Sequence, residues 1–320
     1  METAITGDCK NGVYCVDSGY EGGGVASVYL LRDGNEAAIV DTCHNGALEP
    51  VKRAFSELGV KDGEVKYIFI THVHLDHMGG AGLFAREFPE AALVVHERGG
   101  KHLADPSKLA ASAAGVYGES VMKRLYGDIL PIPADRITMP RDGAEFRVGD
   151  RTIVCFDTPG HARHHIAYKD TSSGAVFTGD AYGMSYAELV RPDGRCAILT
   201  TSPVRFDPNA MRASMRLLDG LANGEVYPTH FGRLPLGGGV SDSLYRQLDM
   251  YVEAAERAEG DIASIRMRLR EIFIEEASRQ NCPSLASDFG RVTRAALELN
   301  AQGLALWYKK SRDESKSLNA

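Results

Sequence analysis

The stretch Thr71-His72-Val73-His74-Leu75-Asp76-His77-Met78-Gly79-Gly80 constrains this chain more than any other. Three histidines and one aspartate fall within six positions, in the pattern His-x-His-x-Asp-His, although the whole chain holds only ten histidines. They follow a mostly apolar run, Val65 to Ile70, and precede a stretch that reads as a helix. A strand that ends in a tight polar loop and then enters a helix crowds neighbouring side chains around one point. Neutral imidazoles and a carboxylate are the ligands that suit Zn²⁺ or iron. The alternative is a solvated polar loop, in which the clustering of three of the ten histidines has no cause.

The rest of the chain reads as two β-rich halves. Residues 12–17, 25–32 and 36–41 are rich in Val, Ile, Tyr and Leu. Gly22-Gly23-Gly24 and Asp33-Gly34 separate them, so three strands are expected. A helix at 47–58 follows, with Leu48, Val51, Phe55 and Leu58 at helical spacing and Gly59 as its stop. The strand at 65–70 delivers the histidine loop. Next come a helix at 80–88, a strand at 92–95 and an insertion at 97–130 with a helix at 119–126. A second set of strands is expected at 144–148, 151–157, 165–169 and 174–178, before a helix near 208–219. Two such halves with interleaved helices predict two sheets packed face to face with helices outside.

The last eighty residues change character. Leu244, Leu248, Tyr251, Val252 and Ala255 share one helical face, and Ile262, Ile265, Leu269 and Ile272 share another. A third helix is expected over 289–308, carrying the only tryptophan, Trp307. Gly237-Gly238-Gly239 reads as a hinge, which divides the chain into a unit at 1–236 and a helical extension at 241–320. Plain helix packing accounts for these apolar stripes, and a homodimer is a further use for them. The polar end, Ser311 to Ala320, is expected to fray.

Charge and cysteine usage narrow the setting. A net charge of -7 and a pI near 5.8 argue against gripping a nucleic acid by its backbone. The six cysteines (Cys9, Cys15, Cys43, Cys155, Cys196 and Cys282) include no CxxC pair, so the expectation is reduced thiols rather than a disulfide framework. The start lacks the basic and apolar regions of a signal peptide, and no apolar run is long enough to span a membrane. A cytoplasmic protein without membrane contact is expected.

Four further stretches place a metal-type residue at or just past a strand end: Asp41, Thr158-Pro159-Gly160-His161, Phe177-Thr178-Gly179-Asp180 and Tyr227-Pro228-Thr229-His230. Together with the opening loop, these five stretches resemble, in order and spacing, the motifs of the metallo-β-lactamase-fold hydrolases. The likeness covers residues 12–235 and implies a four-layer αββα sandwich with a dinuclear metal site of the glyoxalase II or lactonase kind. Position by position, it makes His72, His74 and His161 ligands of one metal and Asp76, His77 and His230 ligands of another. Asp180 would bridge the two, and Asp41 would orient the ligand loop. The implied cofactors are two divalent ions, zinc, or alternatively iron. The implied activity is hydrolysis of a small ester, thioester, lactone or phosphodiester by a hydroxide between the ions, with Asp76 orienting it. Two divalent ions outweigh the charges of Asp76, Asp180 and one hydroxide by a single unit, which attracts an acyl or phosphate oxygen.

Other residues carry two readings each. His165, four after His161, either faces substrate or the metal ligands, or hydrogen-bonds within the fold. Tyr182 and Tyr186 either offer a phenol to a developing oxyanion or pack in the sheet. Arg163 and Arg205 are candidate anion binders or solvated cations. His164 reads as structural or exposed, and His44, His96 and His102 as non-ligands. Phe206-Asp207-Pro208-Asn209-Ala210 resembles a stretch of acyl-homoserine lactonases. A diiron oxygen-binding or redox protein of the same fold is the alternative class. Flavodiiron proteins, however, carry glutamate where this chain has His74.

Overall fold

The computed structural model describes residues 4–6, 11–191, 194–201, 205–237, 239–282 and 289–318. Its architecture follows from strands that are buried on both faces. Along β2 (Ser27–Asp33), Tyr29 and Leu31 point one way and Val28 and Leu30 the other, and all four are buried. Side chains alternate along a strand, so such a strand needs an apolar layer on each side. β2 pairs antiparallel with β1 (Val13–Asp17) and β3 (Glu36–Val40). β4 (Val65–Phe69), β5 (Ala92–Val94) and β6 (Ile137–Thr138) then continue that sheet in parallel.

The second sheet runs antiparallel through β7 (Glu145–Val148), β8 (Arg151–Asp157), β9 (Ile166–Asp170) and β10 (Val176–Gly179). β11 (Val190–Arg191) and β12 (Gly194–Arg195) form a separate short hairpin. β13 (Glu225–Pro228) lies parallel to β10, and β14 (Leu234–Pro235) closes the edge. Tyr29, Leu31, Val40 and Phe69 of the first sheet meet Ile153, Tyr168, Phe177 and Tyr227 of the second in one inter-sheet cluster.

The outer faces carry the helices. α1 (Leu48–Leu58) and α3 (Ala81–Glu87) cover the first sheet, with Val51, Phe55 and Phe84 in the cluster. The short α2 (Leu75–Met78) lies within the histidine loop. The insertion resolves into α4 (Gly100–Ala104), α5 (Ser107–Tyr117) and α6 (Glu119–Tyr126). α7 (Pro208–Leu221) covers the second sheet. It starts where Asp207 accepts the Asn209 and Ala210 N–H groups at 3.0 Å, with proline in the first turn. The four layers are those of an αββα sandwich.

α8 (Val240–Arg257), α9 (Ile262–Arg279) and α10 (Arg291–Leu318) build outward from α7. Leu244, Leu248, Ile265, Phe273, Leu297 and Leu304 belong to the same apolar cluster as Met215, Val226 and Ile198. Gly237 and Gly239 of the expected hinge fall at this junction, and Gly238 lies outside the described residues. Two expectations are corrected. The polar end is helical through Leu318, because α10 spans 28 residues and its polar tail continues a packed helix; Asn319 and Ala320 lie outside the described residues. Cys196 and Cys282 form a disulfide across a separation of 86 residues, a pairing that no local spacing could announce. Cys15, Cys43 and Cys155 are buried thiols, and Cys9 lies outside the described residues. Among the described residues no helix is long and apolar enough to cross a membrane.

Candidate metal centre

The loops that follow β3, β4, β8, β10 and β13 gather at one edge of the sandwich. The loop after β4 turns sharply at Gly79 and Gly80, where glycine is required by close packing. A Cβ at 79 would stand 2.5 Å from the Leu75 carbonyl oxygen, and one at 80 would stand 2.7 Å from that of His44. Gly179 has φ +49°, and a Cβ there would meet His165 Nε2 at 2.5 Å. These approaches pull the ligand-bearing loops together.

Three groups of donors converge. His72, His74 and His161 form the first, Asp76, His77 and His230 the second, and His72, His77 and Asp180 join the two. His74 Nδ1 lies 2.9 Å from His72 Nε2 and 3.0 Å from His161 Nε2. On the other side, His230 Nε2 lies 3.2 Å from Asp76 Oδ2. Asp180 divides its oxygens between the groups, with Oδ1 3.4 Å from His77 Nε2 and Oδ2 3.4 Å from His161 Nε2. His72, His77, His161, Asp180 and His230 are buried, while His74 and Asp76 are half-buried and so face the opening.

The chemistry of this set suits cations. His77 Nε2 and Asp180 Oδ1 are buried without a hydrogen-bond partner among the described residues. Buried polar atoms are rarely left in that state, and a cation held between them satisfies both. Histidine and carboxylate donors with no thiolate suit zinc, and suit iron as well.

The surroundings fix which ring nitrogens carry protons. Asp41 is fully buried, and its Oδ2 accepts from His77 Nδ1–H at 2.8 Å and from Thr229 Oγ1 at 2.7 Å. Its Oδ1 accepts the Thr71 N–H at 2.8 Å. A carboxylate can only accept here, so Nδ1 of His77 carries a proton and its Nε2 turns to Asp180. The Val25 carbonyl does the same for His230, 2.9 Å from its Nδ1. Asp41 thereby ties the starts of two ligand loops, at Thr71 and Thr229, to one another.

The electrostatics differ across the site. Burial, then neighbouring imidazoles, hold His72 well below the usual histidine range, and burial pushes His161 down to about 3. Burial also opposes charge on His77, but Asp180, Asp41 and Asp76 outweigh it and raise that ring well above its ordinary value. His230 is raised in the same way by Asp180 and Asp76, against burial. Burial opposes the Asp180 carboxylate, yet His77, His161 and His230 hold it well below the ordinary range.

The remaining sequence candidates separate cleanly. The Asp180 N–H donates to His165 Nε2 at 3.1 Å, so the His165 proton lies on Nδ1 and goes to Thr158 Oγ1, 2.8 Å away. Both ring nitrogens of His165 are thereby hydrogen-bonded within the fold, one of them to the Asp180 backbone. The Tyr182 hydroxyl is hydrogen-bonded to Asp219 and to Ser241 Oγ, outside the donor groups. The Tyr186 ring lies 5.8 Å from that of His230, but its hydroxyl meets Met184 Sδ at 3.3 Å. His164 is half-buried against the site, its ring 5.8 Å from that of His74. Arg163 and Arg205 are exposed. His44 is held by the Ser18 carbonyl and His96 by Asp157, outside the donor groups. Thr71 and Thr229 escape sequence reading, although each directly precedes a candidate ligand histidine. A cleft of about 410 Å³ lined by Pro208, Arg212, Asp249 and Trp307 lies in the helical layer and holds none of the candidate ligands.

Comparison with known proteins agrees with this geometry. The metallo-beta-lactamase superfamily model matches residues 22–230. The uncharacterized protein YobT of Bacillus subtilis is 27% identical over 157 residues, covering 48% of this chain and 60% of YobT. The metallo-beta-lactamase fold-containing protein ST1585 of Sulfurisphaera tokodaii is 23% identical over 88% of this chain and 90% of its own. Its crystal structure superposes with a TM-score of 0.60, at 23% identity, over 76% of this chain and 87% of that one. A hydroxyacylglutathione hydrolase of Tolumonas auensis is 24% identical over 82% of this chain and 77% of that protein. With the family model spanning the whole donor set, from the strands that precede Asp41 to His230, this chain belongs to the metallo-beta-lactamase superfamily.

Proposed function

We propose that this chain is a hydrolase that holds two divalent metal ions, zinc in the resting enzyme, and cleaves a small thioester or a related ester, lactone or phosphodiester. The observation that carries the reading is Asp180, whose two oxygens turn to different donor groups, with His77 Nε2 and Asp180 Oδ1 otherwise unpartnered. His72, His74 and His161 would hold one ion, Asp76, His77 and His230 the other, and Asp180 both. Bound there, the ions would polarise a substrate oxygen and bring the pKa of water to about 7.

The chain's own residues do the rest. Asp41 and the Val25 carbonyl hold the Nδ1 protons of His77 and His230, which aims their Nε2 atoms inward as the atoms that would meet a cation. His165 fixes the Asp180 backbone. Asp76, half-buried at the opening, accepts a hydrogen bond from the attacking water and orients it. The name hydroxyacylglutathione hydrolase, borne by a relative, specifies a thioester, which favours that substrate class among the four. The proposed substrate is a small molecule rather than a nucleic acid, and a homodimer through the helical layer is proposed for the assembly.

Metal analysis of protein purified without added metal, with absorption spectra before and after air, tests the reading. Two zinc ions together with turnover of a thioester probe support it. Two irons with an oxygen-dependent band overturn it in favour of redox chemistry.

A further inference from the structure

The strand-like segment 196–201 lies between the metal-site wall and the three C-terminal helices. On one side, Ile198 pairs with Met184 through two backbone hydrogen bonds of 2.8 and 3.0 Å. On the other side no strand is present among the described residues to receive the backbone. Three side-chain amides take its place, one from each helix or its end. Gln280, just past α9, accepts the Ala197 N–H at 2.9 Å and donates to the Ala197 carbonyl at 3.0 Å. Gln247 of α8 accepts the Leu199 N–H at 2.8 Å and donates to the Ala197 carbonyl at 3.0 Å. Asn300 of α10 accepts the Thr201 N–H at 2.7 Å and donates to the Leu199 carbonyl at 3.0 Å. Residues 197, 199 and 201 face the amides while 198 faces Met184, which is the period of two of a strand.

All three amides are buried, and the Cys196–Cys282 disulfide anchors the start of the same segment. The far side of the ladder reaches the cluster. Ser185, next to Met184, donates its N–H to the His230 carbonyl and accepts the Phe231 N–H at 2.6 Å, so it brackets the peptide after His230. The Tyr186 ring stands against the His230 ring. A continuous hydrogen-bonded path therefore runs from α8, α9 and α10 through segment 196–201 to one candidate ligand of the second group. No corresponding path from these helices is found, among the described residues, to His72 or His74.

We propose that Gln247, Gln280 and Asn300 are positioning residues for His230, and that the C-terminal helices set the affinity of the Asp76–His77–His230 site for its cation without setting that of the His72–His74–His161 site. The inference rests on the two-cation reading. Segment 196–201 has its edge completed by amides that must be delivered at three separate heights. A register error in any helix is then transmitted to Ser185 and to the His230 peptide. A hydrophobic residue of similar volume in place of an amide leaves buried N–H and C=O groups unpaired, and the segment shifts to recover partners.

The test titrates Zn²⁺ into metal-free full-length protein against a chromophoric chelator, for wild type and for Gln247→Leu, Gln280→Leu and Asn300→Leu. Wild type is expected to take up two equivalents. In the variants the second is expected to weaken by about 10–100-fold while the first stays within about 2-fold. Variants that bind both equivalents as wild type does, or lose both equally, overturn the inference alone. Wild type that takes up a single equivalent overturns the two-cation reading and this inference with it. Amide hydrogen exchange on the wild type removes the dependence on variants that fold. Protection at Ser185, Ala197 and Leu199 is expected to rise with the second equivalent of Zn²⁺ and not with the first. A rise confined to the 71–80 loop overturns the proposal.

Discussion

The two donor groups that share Asp180 stand only a few ångströms apart, yet they sit in opposite electrical surroundings. His72, His74 and His161 are imidazoles among imidazoles, and burial keeps all three below the usual histidine range. Their lone pairs are available at neutral pH, and they supply no formal charge. In the other group, Asp76 is held ionised by His77 and His230 against its burial, and those two rings are raised in turn by the carboxylates around them. A cation entering the second group therefore competes with protons on His77 and His230 up to a higher pH than one entering the first. The lesson is that similar ligand types yield sites of different proton sensitivity when the next layer of residues differs.

The strongest way to break the comparison is to remove what the groups share. Asp180→Ala is expected to abolish retention of both ions and to lower turnover of a thioester probe by roughly 10³-fold or more, on the scale of losing a principal electrostatic stabiliser. Metal analysis after gel filtration checks it, and a variant that still keeps two ions denies the bridging role. His72→Ala should come next, losing the first ion and turnover together. Full turnover by a metal-free His72→Ala protein would rule out the hydrolase reading.

Acidification sharpens the contrast without mutation. The raised values of His77 and His230 mean that both take up protons at a higher pH than His72 and His161, which stay unprotonated until far lower. Metal occupancy is therefore present above the raised values and lost below them, second group first. Dialysis at a series of pH values with metal quantification should show one equivalent leaving before the other; simultaneous loss contradicts the assignment.

Smaller effects probe the supports. Asp41→Asn removes the charge that fixes the His77 ring and should weaken the second ion by about 10–100-fold, leaving the first nearly unchanged. Tyr182→Phe removes a hydroxyl bound to Asp219 and Ser241 rather than to the cluster. It should lower stability by about 1 kcal/mol in urea denaturation with turnover unchanged. A large fall in turnover there would return Tyr182 to the chemistry.

The pattern His-x-His-x-Asp-His with its following glycines was legible because its residues are sequence neighbours and few other roles need them together. His161, Asp180 and His230 were legible as single residues beyond strand-like runs, and runs rich in Val, Ile, Tyr and Leu announced the strands. Local pattern therefore announced two strand-rich halves and the histidine cluster, and the family resemblance implied the rest of the donor set. The resemblance placed Asp41 behind the ligand loop, and tertiary structure decided which groups it meets there. Asp41 gathers Thr71, His77 and Thr229 from positions up to 188 residues away, and no spacing encodes that meeting. The hydroxyl of Tyr182 could be directed only by knowing that α7 and α8 bring Asp219 and Ser241 to it. Gln247 and Asn300 left a faint trace, each a polar residue on an apolar helical stripe, between Leu244 and Tyr251 and between Leu297 and Leu304. What such a residue binds depends on the element packed against it, and that is fixed by the fold rather than by the helix that carries it.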